Sequence, residues 1–132
     1  MDENTTQQLI DIALHARQWA YAPYSKYRVG AALLTASGRI YEGVNIENAA
    51  YPTGICAERV AIFKAVSEGE REFETIVVAT QNGGSPCGSC RQVLAEFGLT
   101  TRVIIVNVEG TIMWDTTVRD ILPDAFTPEK LV

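Results

Sequence analysis

The sequence has one histidine, three cysteines and no run of about 18 apolar residues in its 132 positions, and each scarcity excludes something. Without a long apolar run, a membrane-spanning helix is not expected. The opening stretch, residues 1–8, has neither a basic start nor an apolar stretch, so no secretory leader is expected and the cytoplasm is the expected location. Basic residues number 11 against 16 acidic ones, for a net charge of −5, and they are scattered rather than clustered. This disfavours nucleic acid as a partner, because phosphate binding needs grouped Lys and Arg. Gly83-Gly84 lacks the lysine and spacing of a phosphate-binding loop. An odd number of cysteines argues against a disulfide framework and leaves free thiols, a redox pair or a metal site.

What remains is an ordinary globular composition, with 47% hydrophobic and 20% charged residues. The length suits one domain over 1–132, and no internal repeat or linker interrupts it. Thr5 and Gln8 fit a capping box, so a first helix is expected from about Thr6, with Leu9, Ala13, Ala16 and Ala20 on one face and Pro23 ending it. Tyr27–Thr35 and Arg39–Val44 form an expected hairpin around Ala36-Ser37-Gly38, followed by an irregular loop containing Pro52 and Gly54. A second helix is expected from Cys56 to Glu68, stopped by Gly69, and then a doubly buried strand over Ile76–Ala79. Ser85 as N-cap and Pro86 as first residue mark a third helix, with Cys90, Val93, Leu94 and Phe97 at helical spacing. Strands over Val103–Val108 and Ile112–Trp114 and a short helix over Thr117–Leu122 complete the chain. Strands joined through helices favour a sheet covered on both faces.

The chemistry concentrates in the cysteines. Cys87 and Cys90 form a Cys-x-x-Cys pair at a helix start, and Cys56 stands at another. A helix N-terminus offers free N–H groups and a positive dipole end, which favour thiolate. Three thiolates gathered there suit zinc, which is tetrahedral and binds sulfur well. A closed structural site needs four protein ligands. The other obvious soft donor is His15, an ordinary residue of the first helix by its surroundings. Three ligands leave a fourth position for water, whose pKa zinc lowers from 15.7 to about 7. Glu58, in the first turn after Cys56, can take the proton of that water and deliver it elsewhere. Each part has a plainer meaning: a redox pair, buried structural cysteines, or a solvated helix-face glutamate. The combination Cys-x-Glu with Pro-Cys-x-x-Cys is far more specific than any part.

Cys56-Ala57-Glu58 with Pro86-Cys87-Gly88-Ser89-Cys90 resembles the signature of the zinc-dependent deaminases. Tyr21-Ala22-Pro23-Tyr24-Ser25, Val29-Gly30-Ala31-Ala32 and Asn45-Ile46-Glu47-Asn48-Ala49 extend the likeness to the small homotetrameric cytidine deaminases, over nearly the whole chain. The resemblance implies an α/β fold, a three-layer α/β/α sandwich on a five-stranded mixed sheet. It implies one zinc ion per subunit on Cys56, Cys87 and Cys90, with Glu58 as proton shuttle. It further implies hydrolytic deamination of cytidine and 2′-deoxycytidine to the uridine products. Asn45 and Glu47 would hold the ribose, and Ala57 would touch the substrate. Arg59, and to a lesser degree Gln92, would support the thiolates; by sequence alone Arg59 equally fits a surface helix arginine. Tyr27 stands where the family usually has Phe packed on the pyrimidine. Tyr51 and Phe126 match positions that close the site of a neighbouring subunit. A deaminase of another cytosine compound, such as an aminoacyl-nucleoside antibiotic, and a zinc-stabilised interaction module are the competing readings.

Overall fold

The structure, a computed structural model, describes residues 2–131. Helix α1 spans Glu3–Ala16 and runs into a 3-10 turn at Arg17–Trp19. Its cap is Asp2, whose carboxylate accepts from the Thr5 amide at 2.8 Å, so the helix begins earlier than the expected Thr5–Gln8 box. A charged acceptor at the positive helix end outcompetes a hydroxyl one turn later. The helix also ends well before Pro23.

Strands β1 (Gly30–Thr35) and β2 (Ile40–Val44) form the expected hairpin. β1 starts three residues later than the sequence suggests, because the backbone of Tyr27 and Val29 bonds to the side chain of Asn45 instead of to a strand. Helix α2 (Ala57–Ser67) takes Cys56 as its N-cap, and Gly69 at φ +94° follows its end. β3 (Phe73–Ala79), helix α3 (Gly88–Glu96) and β4 (Arg102–Val106) then form a parallel β-α-β unit. β3 extends beyond the expected Ile76–Ala79, since the exposed Glu74 hid its first turn of pairing. β4 stops at Val106 because the Asn107 side chain accepts from the Glu109 and Thr111 amides and turns the chain. β5 (Ile112–Thr117) and α4 (Val118–Ile121) follow.

Among the described residues the strands lie in the order β2-β1-β3-β4-β5, with only β3 and β4 parallel. The central strands carry apolar side chains on both faces. Ala32, Leu34, Val77, Ala79, Ile104 and Val106 face α1, where Leu9, Ile10 and Ala13 meet them. Ala31, Leu33, Ile76, Val78, Val103 and Ile105 face α2, α3 and α4 on the other side. This is the expected three-layer sandwich with a five-stranded mixed sheet.

The absence of side chains at two neighbouring positions lets both layers close. A Cβ at Gly30 would fall on the Ala13 carbonyl of α1, and one at Gly43 on the Ala57 carbonyl and Ala61 amide of α2. The obstacle at Gly43 is helix backbone, which cannot rotate aside. α2 carries Cys56 and Glu58 at its start, so this close approach also fixes their depth against the sheet. Gly43→Ala should lower stability by about 2–3 kcal/mol, read as a lower urea midpoint at unchanged slope.

Candidate active site

Cys56 and Cys87 are the N-cap residues of α2 and α3, and Cys90 lies in the first turn of α3. Both helices pack on the same sheet face, so their positive ends converge. Cys87 Sγ lies 3.8 Å from Cys56 Sγ and 3.6 Å from Cys90 Sγ, and all three sulfurs fall within 4.8 Å of one another. Cys90 is fully buried, Cys56 half-buried and Cys87 exposed, so the cluster is reached from one side. α3 does not begin at Ser85 and Pro86 as the sequence suggests. The Ser85 hydroxyl is engaged by Arg91 Nη2 at 2.9 Å, and Cys87 becomes the N-cap.

Arg59 Nη2 donates to Cys56 Sγ at 3.5 Å, while its Nε is buried with no protein partner. Hydrogen bonding from Cys90 and Arg59 pulls the Cys56 thiol down to about 5. The same sulfur pairing, together with burial, pushes Cys90 up. Glu58 is 4% exposed, yet lines a cavity of about 640 Å³ that opens beside the sulfurs. Burial, aided by the negative Cys56 sulfur, pushes its carboxyl up to about 7.

The cavity wall also includes Tyr24, Ser25, Tyr27, Asn45, Glu47 and Tyr51. The Asn45 amide donates to the Tyr27 carbonyl at 2.8 Å and accepts from the Val29 amide at 2.9 Å. Glu47 accepts from the Tyr24 and Ser25 amides at 3.0 and 3.1 Å and from the Ser25 hydroxyl. The Ser25 hydroxyl, with these amides, holds the Glu47 carboxyl below its ordinary range.

Residues 3–107 match the family profile described as the cytidine and deoxycytidylate deaminase zinc-binding region. The chain belongs to this deaminase family. A cytidine deaminase from Sporosarcina psychrophila is 51% identical over 128 residues, covering 95% of this chain and 93% of that protein. One from Halalkalibacterium halodurans is 48% identical over 128 residues, covering 95% and 96%. The crystal structure of cytidine deaminase from Burkholderia pseudomallei superimposes with a TM-score of 0.88 at 44% identity, over 96% of this chain and 100% of that one.

The donor set suits the metal of this deaminase family. Zinc–sulfur bonds of about 2.3 Å in a tetrahedron require sulfur–sulfur edges of about 3.8 Å, and the two pairs measured here stand at 3.8 and 3.6 Å. Among the described residues these three cysteines are the grouping able to hold a metal ion, and His15, in the last turn of α1, instead meets Gln18 of the following 3-10 turn.

Of the residues the sequence singled out, the structure gathers Tyr27, Asn45, Glu47, Tyr51, Cys56, Ala57, Glu58, Arg59 and Cys87 around one cavity, with Cys90 directly behind it. Gln92 goes elsewhere. Expected near sulfur, its amide donates to the Phe126 carbonyl at 2.6 Å and ties down the C-terminal segment. Phe126 itself is 56% exposed and lies outside this chain's own cavity wall.

Arg91 was not singled out by the sequence, yet it braces the approach to Cys87. Its Nε donates to the Pro86 carbonyl at 2.8 Å, its Nη1 to the Ile121 carbonyl at 2.8 Å, and its Nη2 to Ser85. The available signal was an arginine next to a cysteine in a first helical turn, which by itself matches any surface arginine. Ser25 was equally silent, because its partner Glu47 is 22 residues away.

Cys87→Ala removes a sulfur that touches both others. Zinc should fall from near one equivalent per chain to a small fraction of it, measured by metal analysis of protein purified without chelator.

Proposed function

We propose that this deaminase acts on free cytidine and 2′-deoxycytidine, releasing ammonia and the corresponding uridine nucleosides, from one catalytic unit spanning the chain. The observation carrying this reading is the buried Glu58 carboxyl lining the same cavity of about 640 Å³ as Cys56 and Cys87, with three sulfurs gathered within 4.8 Å of one another. The similarity to proteins named cytidine deaminases supports the substrate. So does the wall of the cavity. Among the described residues that line it, Arg59 is the one basic side chain, and it is committed to Cys56. A nucleotide's phosphate would find no cation there, and it would meet Glu47. A nucleoside suits this wall better than deoxycytidylate or a polynucleotide.

Cys56, Cys87 and Cys90 hold zinc, which when bound supplies an acidified water and a Lewis acid for the attack. Glu58 accepts a proton from the attacking water and donates it to N3 of the pyrimidine as the oxygen bonds to C4. It then takes the remaining hydroxyl proton and passes it to the amino group, so that the C4–N bond breaks and ammonia leaves. Arg59 and the two helix ends offset the negative charge of the sulfurs. Asn45 and Glu47 face the ribose with their remaining hydrogen-bonding capacity, and the Tyr27 ring lies against the base.

The active form is a homotetramer in this reading, with Tyr51 and Phe126 covering neighbouring sites. Support comes from large apolar side chains left in solvent: Tyr51 is 80% exposed, Trp19 71%, and Ile112, Met113 and Trp114 line the uncovered edge strand β5. The contiguous exposed Ile112-Met113-Trp114 stretch is the kind of apolar patch that marks an association surface. Sedimentation equilibrium should give four times the 14.5 kDa chain mass; a monomer would remove the assembly from the proposal. Among the described residues no helix is long and apolar enough to cross a membrane, and a zinc site built on three reduced cysteines suits the cytoplasm.

The deciding experiment follows the ultraviolet absorbance of cytidine on mixing with zinc-loaded protein, with deoxycytidine, deoxycytidylate and an aminoacyl-cytosine nucleoside alongside. Turnover of cytidine and deoxycytidine is expected; turnover of the aminoacyl compound alone would overturn the assignment. Glu58→Gln should keep zinc and fold while losing turnover by about 10²–10⁴-fold.

A further inference from the structure

The loop from Thr80 to Cys87 forms one wall of the cavity, with Thr80, Gly84, Ser85 and Cys87 facing it. Among the described residues, positions 81–86 make no backbone–backbone hydrogen bond. Side chains hold the loop instead. Arg91 takes Ser85 and Pro86, and the Thr80 hydroxyl accepts from the Gly84 amide at 2.8 Å. At the tip, Tyr27 Oη donates to Asn82 Oδ1 at 2.7 Å, joining residues 55 apart in sequence. The Tyr27 ring borders the cavity while its hydroxyl is turned into the loop.

This solvent-exposed hydroxyl lies directly against Gly84. A Cβ there would collide with Tyr27 Oη, while the next atoms, Tyr27 Cζ and Asn82 Oδ1, stand at an ordinary 3.6 Å. Positive-φ residues of this chain do not include Gly84, so its backbone conformation suits alanine. The obstacle to a side chain at 84 is therefore the single Tyr27 oxygen.

We infer that Tyr27 and Asn82 form a latch that positions the 81–86 loop as the wall of the nucleoside pocket, with Gly84 small because of that latch. The inference rests on the nucleoside-deaminase reading for its effect on substrate. Tyr27 then has two separable parts: a ring face for the base and a hydroxyl committed to the protein. Asn82 is a positioning residue that acts through Tyr27 and the loop. Glu58 and the sulfurs sit on helix ends braced by Arg91 and by the sheet, so loosening the latch weakens substrate binding more than the chemical step.

The test is a set of double-mutant cycles on the zinc-loaded protein. Asn82→Ala should raise KM roughly fivefold, the worth of one hydrogen bond, with a smaller change in kcat and zinc content retained. The same substitution added to Tyr27→Phe should raise KM no further, because the bond is already gone. Gly84→Ala should be strongly impaired with Tyr27 present and substantially restored in the Tyr27→Phe background, where the colliding oxygen is absent. Hydrogen exchange at the Gly84 amide without substrate should speed up in Asn82→Ala and Tyr27→Phe alike. Independent, additive effects of Asn82→Ala and Tyr27→Phe, or equal damage from Gly84→Ala in both backgrounds, would overturn the latch. The exchange measurement uses no substrate. Coupled exchange without turnover of cytidine or deoxycytidine would therefore sink the substrate assignment and leave the latch standing.

Discussion

Three sulfur atoms of one developing sign must lie within 4.8 Å of one another, and much of the molecule is arranged so that they can. Three thiolates around a divalent ion leave a net charge of about −1, which an apolar interior would not tolerate unaided. The relief comes from the backbone as much as from side chains. α2 and α3 lie on the same face of the sheet and point their positive ends at the same spot. Arg59 adds a full positive charge at Cys56. The parallel pair β3–β4 makes this possible, because the crossover between them is α3 itself.

The same packing sets Glu58 apart from other first-turn glutamates. On an exposed helix it would be a solvated dipole partner. Here α2 presses on β2 over Gly43, which has no side chain to hold the helix off. Glu58 is thereby carried out of water, and its carboxyl holds a proton more tightly than an ordinary glutamate. Depth against the sheet, not residue type, gives this common side chain its raised proton affinity.

The rest of the cavity follows a different logic. Its walls are loops, whose polar backbone is satisfied some other way than by strand ladders. Asn45 brackets Tyr27 and Val29, Glu47 collects the amides of Tyr24 and Ser25, and Arg91 collects the Ser85 hydroxyl and two carbonyls. The residues that face the cavity thus also hold one another in place, which preorganises the pocket before any ligand arrives.

The sequence by itself determined the elements with strong periodicity or punctuation and the metal chemistry. The apolar runs around Val77-Val78 and Ile104-Ile105 read as doubly buried strands, and Cys56, Glu58, Cys87 and Cys90 carried a pattern that resembles the zinc-dependent deaminase signature. Local signals suffice within each half of the pattern, Cys56 with Glu58 and Cys87 with Cys90, although the two halves stand 31 residues apart. They failed where a remote partner decided the outcome. Ser85 lost its expected cap because Arg91 reached it, and β1 was shortened by Asn45. Gln92 turned to the C-terminal segment, while Tyr27 found Asn82 across 55 residues. Only the tertiary structure could decide these, because a hydrogen bond is set by distance and direction in space, and neither can be read along the chain.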